Sequence, residues 1–245
     1  MKYEIPGPVR LSETDEYGKL SLGALINRFQ DCSTEQSEAI GAGPAHQISN
    51  GQAWILAYWQ IDIHRLPGMG EKVTAATWAY EFSRFFGLRN FSLTAEGGSL
   101  LAGANSVWVF YDVRRGRPVN VPDWQAERYD PEEKLEMEYL PRKIHLPAEG
   151  IAREERFDGI TVRRCHLDIN HHVNNGQYVV MASEYLPDGF DVDRVRVEYR
   201  RQARRGEVLA ARVLTMEDGR TIFVILEEEG ESPYTLVEFH GQLRS

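Results

Sequence analysis

The sequence predicts an α+β fold made of two tandem units, each a single helix wrapped by an antiparallel sheet. An apolar-periodic helix precedes a series of strand-like segments, the same order occurs again in the second half, and a proline-rich stretch separates the halves. With 245 residues, of which 42% are hydrophobic, the chain can form two cores of ordinary size.

The first unit begins with a predicted amphipathic helix in residues 21–40. Its apolar residues recur at helical spacing behind a serine that can cap the first turn: Leu22, Leu25, Ile26 and Phe29. A long apolar helix needs cover on most sides, so we expect the following sheet to wrap it. Segments rich in β-branched and aromatic residues, separated by turn signals, predict strands over 54–64, 72–81, 85–95 and 99–112.

Residues 126–150 are predicted to connect the two units. Five prolines lie between residues 118 and 150, beside a charged stretch without a clean period. We therefore place the N-terminal unit in residues 1–125 and the C-terminal unit in residues 151–245.

The second unit repeats this plan. A helix is predicted from about Asn174, with Tyr178, Met181, Ala182 and Tyr185 on one face, followed by strands near 193–201, 206–216, 220–229 and 233–243. VEYRRQARRGE at 197–207 matches IDIHRLPGMGE at 61–71 in order, since both read as a strand, a basic turn and a closing Gly-Glu. This match indicates an internal duplication.

Composition excludes several classes of protein. The net charge of −9 argues against a nucleic-acid partner, which normally needs a strongly basic face. Cys32 and Cys165 are too few and too far apart for a disulfide framework. No apolar run is typical of a signal peptide or a bilayer span, so we expect a cytoplasmic protein with no membrane association.

Polar side chains gather at the entrance to the second helix, in LDINHHVNN at 167–175. Asp168, Asn170 and His172 alternate there, and an extended backbone would aim all three toward one side. The unpaired N–H groups at the start of the helix, around Val173 and Asn174, would stabilise an oxyanion. These groups suit ester or thioester hydrolysis.

The first helix is entered by TDEYGKLSLGA at 14–24. This stretch has Asp15 at the corresponding place but neither the asparagine nor the histidine. We therefore predict that only the second unit is catalytic.

Other interpretations of the motif are weaker. Asp168 and Asn174 are ordinary helix-capping residues when taken singly. Cys165, Asp168, His171 and His172 lack the spacing of known metal sites, so no metal or other cofactor is predicted. Cys165 is interpreted as a small buried residue and not as a nucleophile.

Arginines are concentrated in residues 194–205, with only one acidic residue among them. They suit either a solvated strand edge or a docking surface for an acidic carrier or a phosphate-bearing thiol, and the sequence leaves both open. The arginines are Arg194, Arg196, Arg200, Arg201, Arg204 and Arg205.

The motifs LDINHHVNNGQYV and VEYRRQARRGE, with LINRFQDCSTEQSEAIG and GANSVWVFYD in the first half, resemble the acyl-acyl-carrier-protein thioesterases of plants and bacteria. The resemblance covers nearly the whole chain. It implies a double hotdog fold and a role in fatty acid biosynthesis. The implied reaction is hydrolysis of the thioester between a fatty acyl chain and the phosphopantetheine of acyl carrier protein (ACP), by a protein of bacterial type.

The resemblance also implies roles for individual residues. The family's catalytic aspartate, asparagine and histidine fall on Asp168, Asn170 and His172. The plant pattern continues with glutamate and cysteine where this chain has Gln202 and Ala203. The base is then either Asp168 or His172, and Gln202 at most orients the attacking water.

Substrate contacts are expected on both units. The residues expected to bind the substrate near the catalytic motif are Asn174, Asn175, Arg200, Arg201 and Arg204. The acyl chain is expected in the first unit, near Leu25, Ile26, Phe29, Trp54, Trp59 and Trp108.

Three alternatives stay open from the sequence. The chain could be a hotdog acyl-coenzyme A thioesterase, or an acyl-binding protein without turnover. A homodimer is also compatible with the sequence.

Overall fold

The computed structural model describes residues 1–228 and 231–244. The chain divides into two compact units, one of Met1–Ala57 with Ile61–Leu140 and the other of Tyr58–Gln60 with the chain from Pro141 onward. The predicted linker at 126–150 is thus shared between the units. The last residue of the predicted strand 220–229 and the last residue of the predicted unit 151–245 lie outside the described residues.

The first unit contains the predicted helix and strands, with additional short elements. The helix α1 packs against strands β1 and β3. The strand order is β1-β3-β4-β5-β2, with β6 paired to β5. The elements are β1 (Tyr3–Pro8), α1 (Leu22–Ala39), α2 (Pro44–Asn50), β2 (Gln52–Ile63), β3 (Lys72–Ser83), β4 (Phe86–Ala95), β5 (Leu100–Asp112), β6 (Arg117–Pro118) and α3 (Asp123–Tyr129).

The start and the buried face of α1 confirm the helix prediction. The Ser21 hydroxyl accepts a hydrogen bond from the Ala24 N–H at 3.2 Å, as a capping residue should. Leu25, Ile26 and Phe29 are at most 1% exposed. The apolar face of the helix therefore forms the core of this unit.

The second unit has the same plan. Its helix α4 contacts β10 and β11, and its strand order is β8-β11-β10-β9-β7. The elements are β7 (Ile151–Thr161), α4 (Asn175–Ser183), β8 (Phe190–Tyr199), β9 (Val208–Met216), β10 (Thr221–Glu227) and β11 (Thr235–Leu243).

The observed elements confirm the α+β class and the predicted start of the second helix. Tyr178, Met181 and Ala182 are buried as expected. Tyr185 lies beyond the end of α4 and not on its face. No helix in the described part of the chain is long and apolar enough to cross a lipid bilayer.

Strands β1 and β7 were not predicted, and the reason is the same for both. Each lies at an end of the strand order, where only one neighbour is needed. β1 contains Pro6 and Pro8, which an edge strand tolerates because one side of its backbone makes no ladder bonds. β7 is strongly charged, as edge strands often are. Both sequences therefore lack the usual strand pattern.

Candidate active site

The polar motif forms a tight turn directly before α4. The Asp168 N–H donates to the His172 carbonyl at 2.8 Å, and the His171 N–H donates to the Asp168 carbonyl at 3.1 Å. The Asp168 Oδ1 also accepts from the N–H groups of Asn170, at 2.8 Å, and His172, at 3.3 Å. The expected extended backbone is wrong, because the hydrogen bonds of Asp168 fold the chain back on itself and hold the backbone at Asn170 and His172.

The imidazole ring of His172 is not engaged by the residues around it within the described part of the chain. The ring is half-buried and makes no hydrogen bond within the described residues. Burial lowers the pKa of His172 below its ordinary value of 6.5, and the nearby charge of Arg204 lowers it further, while Asp168 acts in the opposite direction. The imidazole is therefore neutral near pH 7 and can accept a proton.

Asn170 lies at the exposed side of the turn. Its side-chain Nδ2 is 3.5 Å from the Asp168 Oδ2, at the limit of a hydrogen bond. The amide is therefore only weakly held and remains available to a ligand.

The backbone before α4 differs from the expected oxyanion site. The Val173 N–H donates to the Ala203 carbonyl, and the Asn174 N–H donates to the His166 carbonyl, both at 2.9 Å. Both N–H groups are already hydrogen-bonded, so the predicted oxyanion site at the start of the helix cannot use them.

The first turn of α4 offers a different donor. The Asn174 Oδ1 caps the helix by accepting from the Gly176 N–H at 2.8 Å. The Asn175 N–H has no acceptor among the described residues. It lies at the positive end of the helix dipole, so it can donate to an anion.

The segment 202–204 runs beside the turn. Arg204 forms an isolated antiparallel β-bridge with His172. Ala203 is fully buried, and its N–H donates to the Tyr178 hydroxyl at 2.7 Å. Burial raises the pKa of Tyr178 to about 12, so this hydroxyl stays protonated. Gln202 is exposed, and its side chain makes no hydrogen bond within the described residues.

Two tyrosines that were not predicted as site residues, Tyr178 and Tyr199, support the start of α4. The Tyr199 hydroxyl donates to the Asn175 carbonyl at 2.8 Å. The rings of Tyr178 and Tyr199 pack edge to face with centroids 5.8 Å apart. Tyr178 belongs to the predicted apolar helix face, but nothing in the sequence signals its bond to Ala203.

Three arginines of the stretch 194–205 form ion pairs with glutamates, which neutralises part of its positive charge. Arg196 is 9% exposed and pairs with Glu238 at 2.6 Å, so it is not part of an exposed basic surface. Arg200 pairs with Glu198 at 3.0 Å. Arg201 pairs with Glu228 at 2.7 Å, and its guanidinium stacks 3.9 Å from the ring centroid of Tyr234.

Four other arginines lie near the turn and are exposed. The two segments that carry them are joined by the hydrogen bond from the Gly206 N–H to the Val162 carbonyl, at 3.0 Å. None of the four forms an ion pair within the described residues. They are Arg163, Arg164, Arg204 and Arg205.

The remaining polar residues of the motif give no further chemistry. Cys165 is exposed, so its interpretation as a buried residue is wrong, and Cys32 is the buried thiol. In residues 1–228 and 231–244, no group of three or more histidines, cysteines or carboxylates is placed to hold a metal ion.

The first unit contains the same turn. The Asp15 Oδ1 accepts from the N–H groups of Tyr17, at 3.0 Å, and Lys19, at 2.9 Å. The Asp15 N–H donates to the Lys19 carbonyl at 2.7 Å. The predicted correspondence of Asp15 with Asp168 is confirmed, and Tyr17 and Lys19 occupy the places of Asn170 and His172.

Family models match both halves of the chain. The acyl-ACP thioesterase N-terminal domain matches residues 1–129, and the acyl-ACP thioesterase C-terminal domain matches residues 151–237.

Curated relatives are chloroplast enzymes of plants. An acyl-acyl-carrier-protein hydrolase of Cuphea viscosissima is 25% identical over 202 residues, covering 77% of this chain and 49% of the relative. A palmitoyl-acyl carrier protein thioesterase of Gossypium hirsutum is 26% identical over 217 residues, covering 82% of this chain and 52% of the relative. The chain thus spans about half the length of these relatives.

A solved structure matches along the whole chain. The crystal structure of a protein described as an oleoyl thioesterase, from Lactobacillus plantarum, has a TM-score of 0.87 and 25% sequence identity. The match covers 100% of this chain and 98% of that one. This likeness confirms the double hotdog fold expected from the sequence.

Proposed function

Because the chain belongs to the acyl-ACP thioesterase family, we propose that it hydrolyses fatty acyl-ACP to a free fatty acid and holo-ACP. The observation that carries the proposal is the His172 ring, which is neutral and makes no hydrogen bond within the described residues. His172 lies on the turn that Asp168 forms, two residues after Asn170. An unengaged imidazole on the same turn as a weakly held amide is suited to activating water against a carbonyl carbon.

His172 is the better candidate for the general base. The Asp168 Oδ1 is committed to the N–H groups of the turn, and Asp15 makes the same bonds in the unit predicted to be non-catalytic. This repetition supports a structural role for Asp168. His172 would take a proton from water as the water attacks, and would return it to the departing thiolate.

The oxyanion of the tetrahedral intermediate needs donors. The Asn175 N–H, at the positive end of α4, is one candidate, and the Asn170 amide is another. Asn174 would act by holding the first turn of the helix through its cap to Gly176. Removing one oxyanion donor typically lowers the rate about 10²–10³-fold.

Gln202 remains a proposed accessory residue. It occupies the place where the plant pattern has glutamate, and its exposed amide can hydrogen-bond to water but cannot take a proton from it. This supports a role in orienting water at most.

Docking of the carrier is assigned mainly to Arg204. It is exposed, unpaired within the described residues and bridged to His172. Arg200 and Arg201 were also expected to bind substrate, but their glutamate partners neutralise much of their charge. They would contribute less to the attraction of an acidic carrier.

The N-terminal unit is the proposed site of the acyl chain. Leu25, Ile26 and Phe29 are buried, whereas Trp54 and Trp108 are half-buried. In this proposal Trp108 lines the space for the acyl chain, and Trp108→Ala should then shift preference toward longer acyl groups because the indole no longer takes up room. An unchanged chain-length profile would contradict this assignment of Trp108.

A role in fatty acid biosynthesis and a cytoplasmic location belong to the same proposal. Both cysteines are free and one is exposed, which suits a reducing compartment. Detection of the protein in the cytosolic fraction of its native cells would support the location, and its recovery elsewhere would contradict it.

The reaction is tested by following free thiol released from acyl-ACP over a series of chain lengths. We expect turnover by the chain as it stands, with acyl-ACP used better than the same acyl group on coenzyme A. Preference for the coenzyme A ester would favour the alternative thioesterase. Binding of acyl-ACP without thiol release would favour an acyl-binding protein.

A further inference from the structure

Glu207 and Glu71 occupy equivalent places in the two units. The Glu207 Oε2 accepts from the Arg204 N–H at 3.0 Å, and the Glu71 Oε2 accepts from the Gly68 N–H at 3.2 Å. Each glutamate closes the basic turn that precedes the next strand of its unit. The backbone role of the two carboxylates is therefore the same.

The two carboxylates differ in their ion pairs. Arg65 donates to the Glu71 Oε2 at 2.8 Å and also pairs with its Oε1. The arginine equivalent to Arg65 is Arg201, which turns away to Glu228. Glu207 forms no ion pair within the described residues, and its Oε2 accepts instead from the Tyr234 hydroxyl at 2.9 Å.

The carboxylate of Glu207 is close enough to His172 to affect its pKa. Arg204, whose N–H Glu207 holds, forms the β-bridge with His172. The negative charge of Glu207 raises the pKa of His172, against the larger lowering by burial and Arg204.

Other titratable groups also lie close to His172. On its own turn, Asp168 raises the pKa of His172 and His171 lowers it. Tyr178 of α4 is protonated at neutral pH, because burial raises its pKa to about 12. Glu207 is thus the carboxylate that acts on His172 from the opposite segment.

We infer that Glu207 is a positioning residue for His172. It holds the Arg204 backbone, which is bridged to the backbone of His172, and its charge stabilises the imidazolium that forms when water gives up a proton. This rests on the proposed function and concerns the same site. It gives the chain a carboxylate near the base although Gln202 stands where the plant pattern has glutamate.

The test replaces the charge and keeps the shape. In Glu207→Gln an amide oxygen can still accept from the Arg204 N–H and the Tyr234 hydroxyl, so the fold should be kept. Glu71→Gln makes the same change at the equivalent place in the first unit and is the matched control. The ring titration of His172 is followed by NMR in the full chain without substrate, and the pH profile of kcat/KM for acyl-ACP is measured in parallel.

We expect the titration midpoint of His172 to fall by about 0.5 pH unit in Glu207→Gln. The acid limb of kcat/KM should move the same way, and Glu71→Gln should leave both unchanged. In Glu207→Asp, which keeps the charge, the titration midpoint of His172 should lie close to that of the parent chain. An unchanged midpoint in Glu207→Gln, or an equal shift in Glu71→Gln, would overturn the inference. Absence of thiol release by the parent chain would instead defeat the proposed reaction, because the NMR titration does not depend on turnover.

Discussion

The turn before α1 and the turn before α4 share one backbone and differ in the side chains they carry. In each, an aspartate accepts from the N–H groups two and four residues later. The residue between those two has a positive φ, 71° at Gly18 and 62° at His171. A serine caps the first helix and an asparagine caps the second.

The two turns have the same backbone hydrogen bonds but different side-chain chemistry. Both units have the aspartate at this place with the same hydrogen bonds, which supports a structural role for it in the turn. Only the second unit has an amide and an imidazole at the two positions that the turn presents. The same turn thus forms with the amide and the imidazole and without them.

The largest expected effect is at the imidazole. His172→Ala should lower the thiol-release rate by about 10²–10⁴-fold, because the general base is lost. Lys19→Ala, at the equivalent place in the first unit, should retain the parent rate. Similar losses in both variants would show that position 172 has no special role.

The amide should have the next largest effect. Asn170→Ala should lower kcat by about 10²-fold if its side chain stabilises the oxyanion or holds the attacking water. Tyr17→Ala is the control in the first unit. A rise in KM alone would mean that Asn170 binds the substrate without acting in the transition state.

Arg204 should affect both docking and proton affinity. Arg204→Gln is expected to raise KM for acyl-ACP, more so at low salt, because an exposed cation near the site is lost. It should also raise the pKa of His172, since Arg204 now lowers it, and move the acid limb of kcat/KM to higher pH.

Arg153 provides the control for this variant. It is an exposed arginine on β7 of the same unit, 69% exposed at its side chain. Arg153→Gln should change neither the KM for acyl-ACP nor the pKa of His172. An Arg204→Gln profile that coincides with the parent profile would be inconsistent with its place beside His172.

The smallest expected effect is on stability, and it should be the same for the two turns. Asp15→Ala and Asp168→Ala each remove two bonds to backbone N–H groups, so each should lower the free energy of unfolding by about 1 kcal/mol. Denaturant unfolding measures both. Stability lost in only one of the two variants would contradict the shared frame.

Local pattern was enough to predict the helices α1 and α4 and most strands, but not the short helices α2 and α3. The apolar spacing of Leu25, Ile26 and Phe29 is decided within one segment, and the structure confirms it. The correspondence of Asp15 with Asp168 was also visible, because the duplication kept the aspartate and its distance from the helix.

Other features depend on partners that are remote in sequence. Glu238 and Glu228 come from other segments to pair with Arg196 and Arg201, so a run of arginines did not reveal which were exposed. The turn itself was missed because the polar residues at alternate positions also suit an extended strand. The Val173 N–H is bonded to Ala203, a contact that only the fold creates.

The most direct test gives the second turn the side chains of the first. The double variant Asn170→Tyr/His172→Lys keeps Asp168 and the cap of α4, and its single-turnover thiol release from acyl-ACP is compared with that of the parent chain. We predict a thermal midpoint close to that of the parent and a rate reduced to the level of His172→Ala. A folded double variant that releases thiol at the parent rate would contradict the assignment of the chemistry to these two side chains.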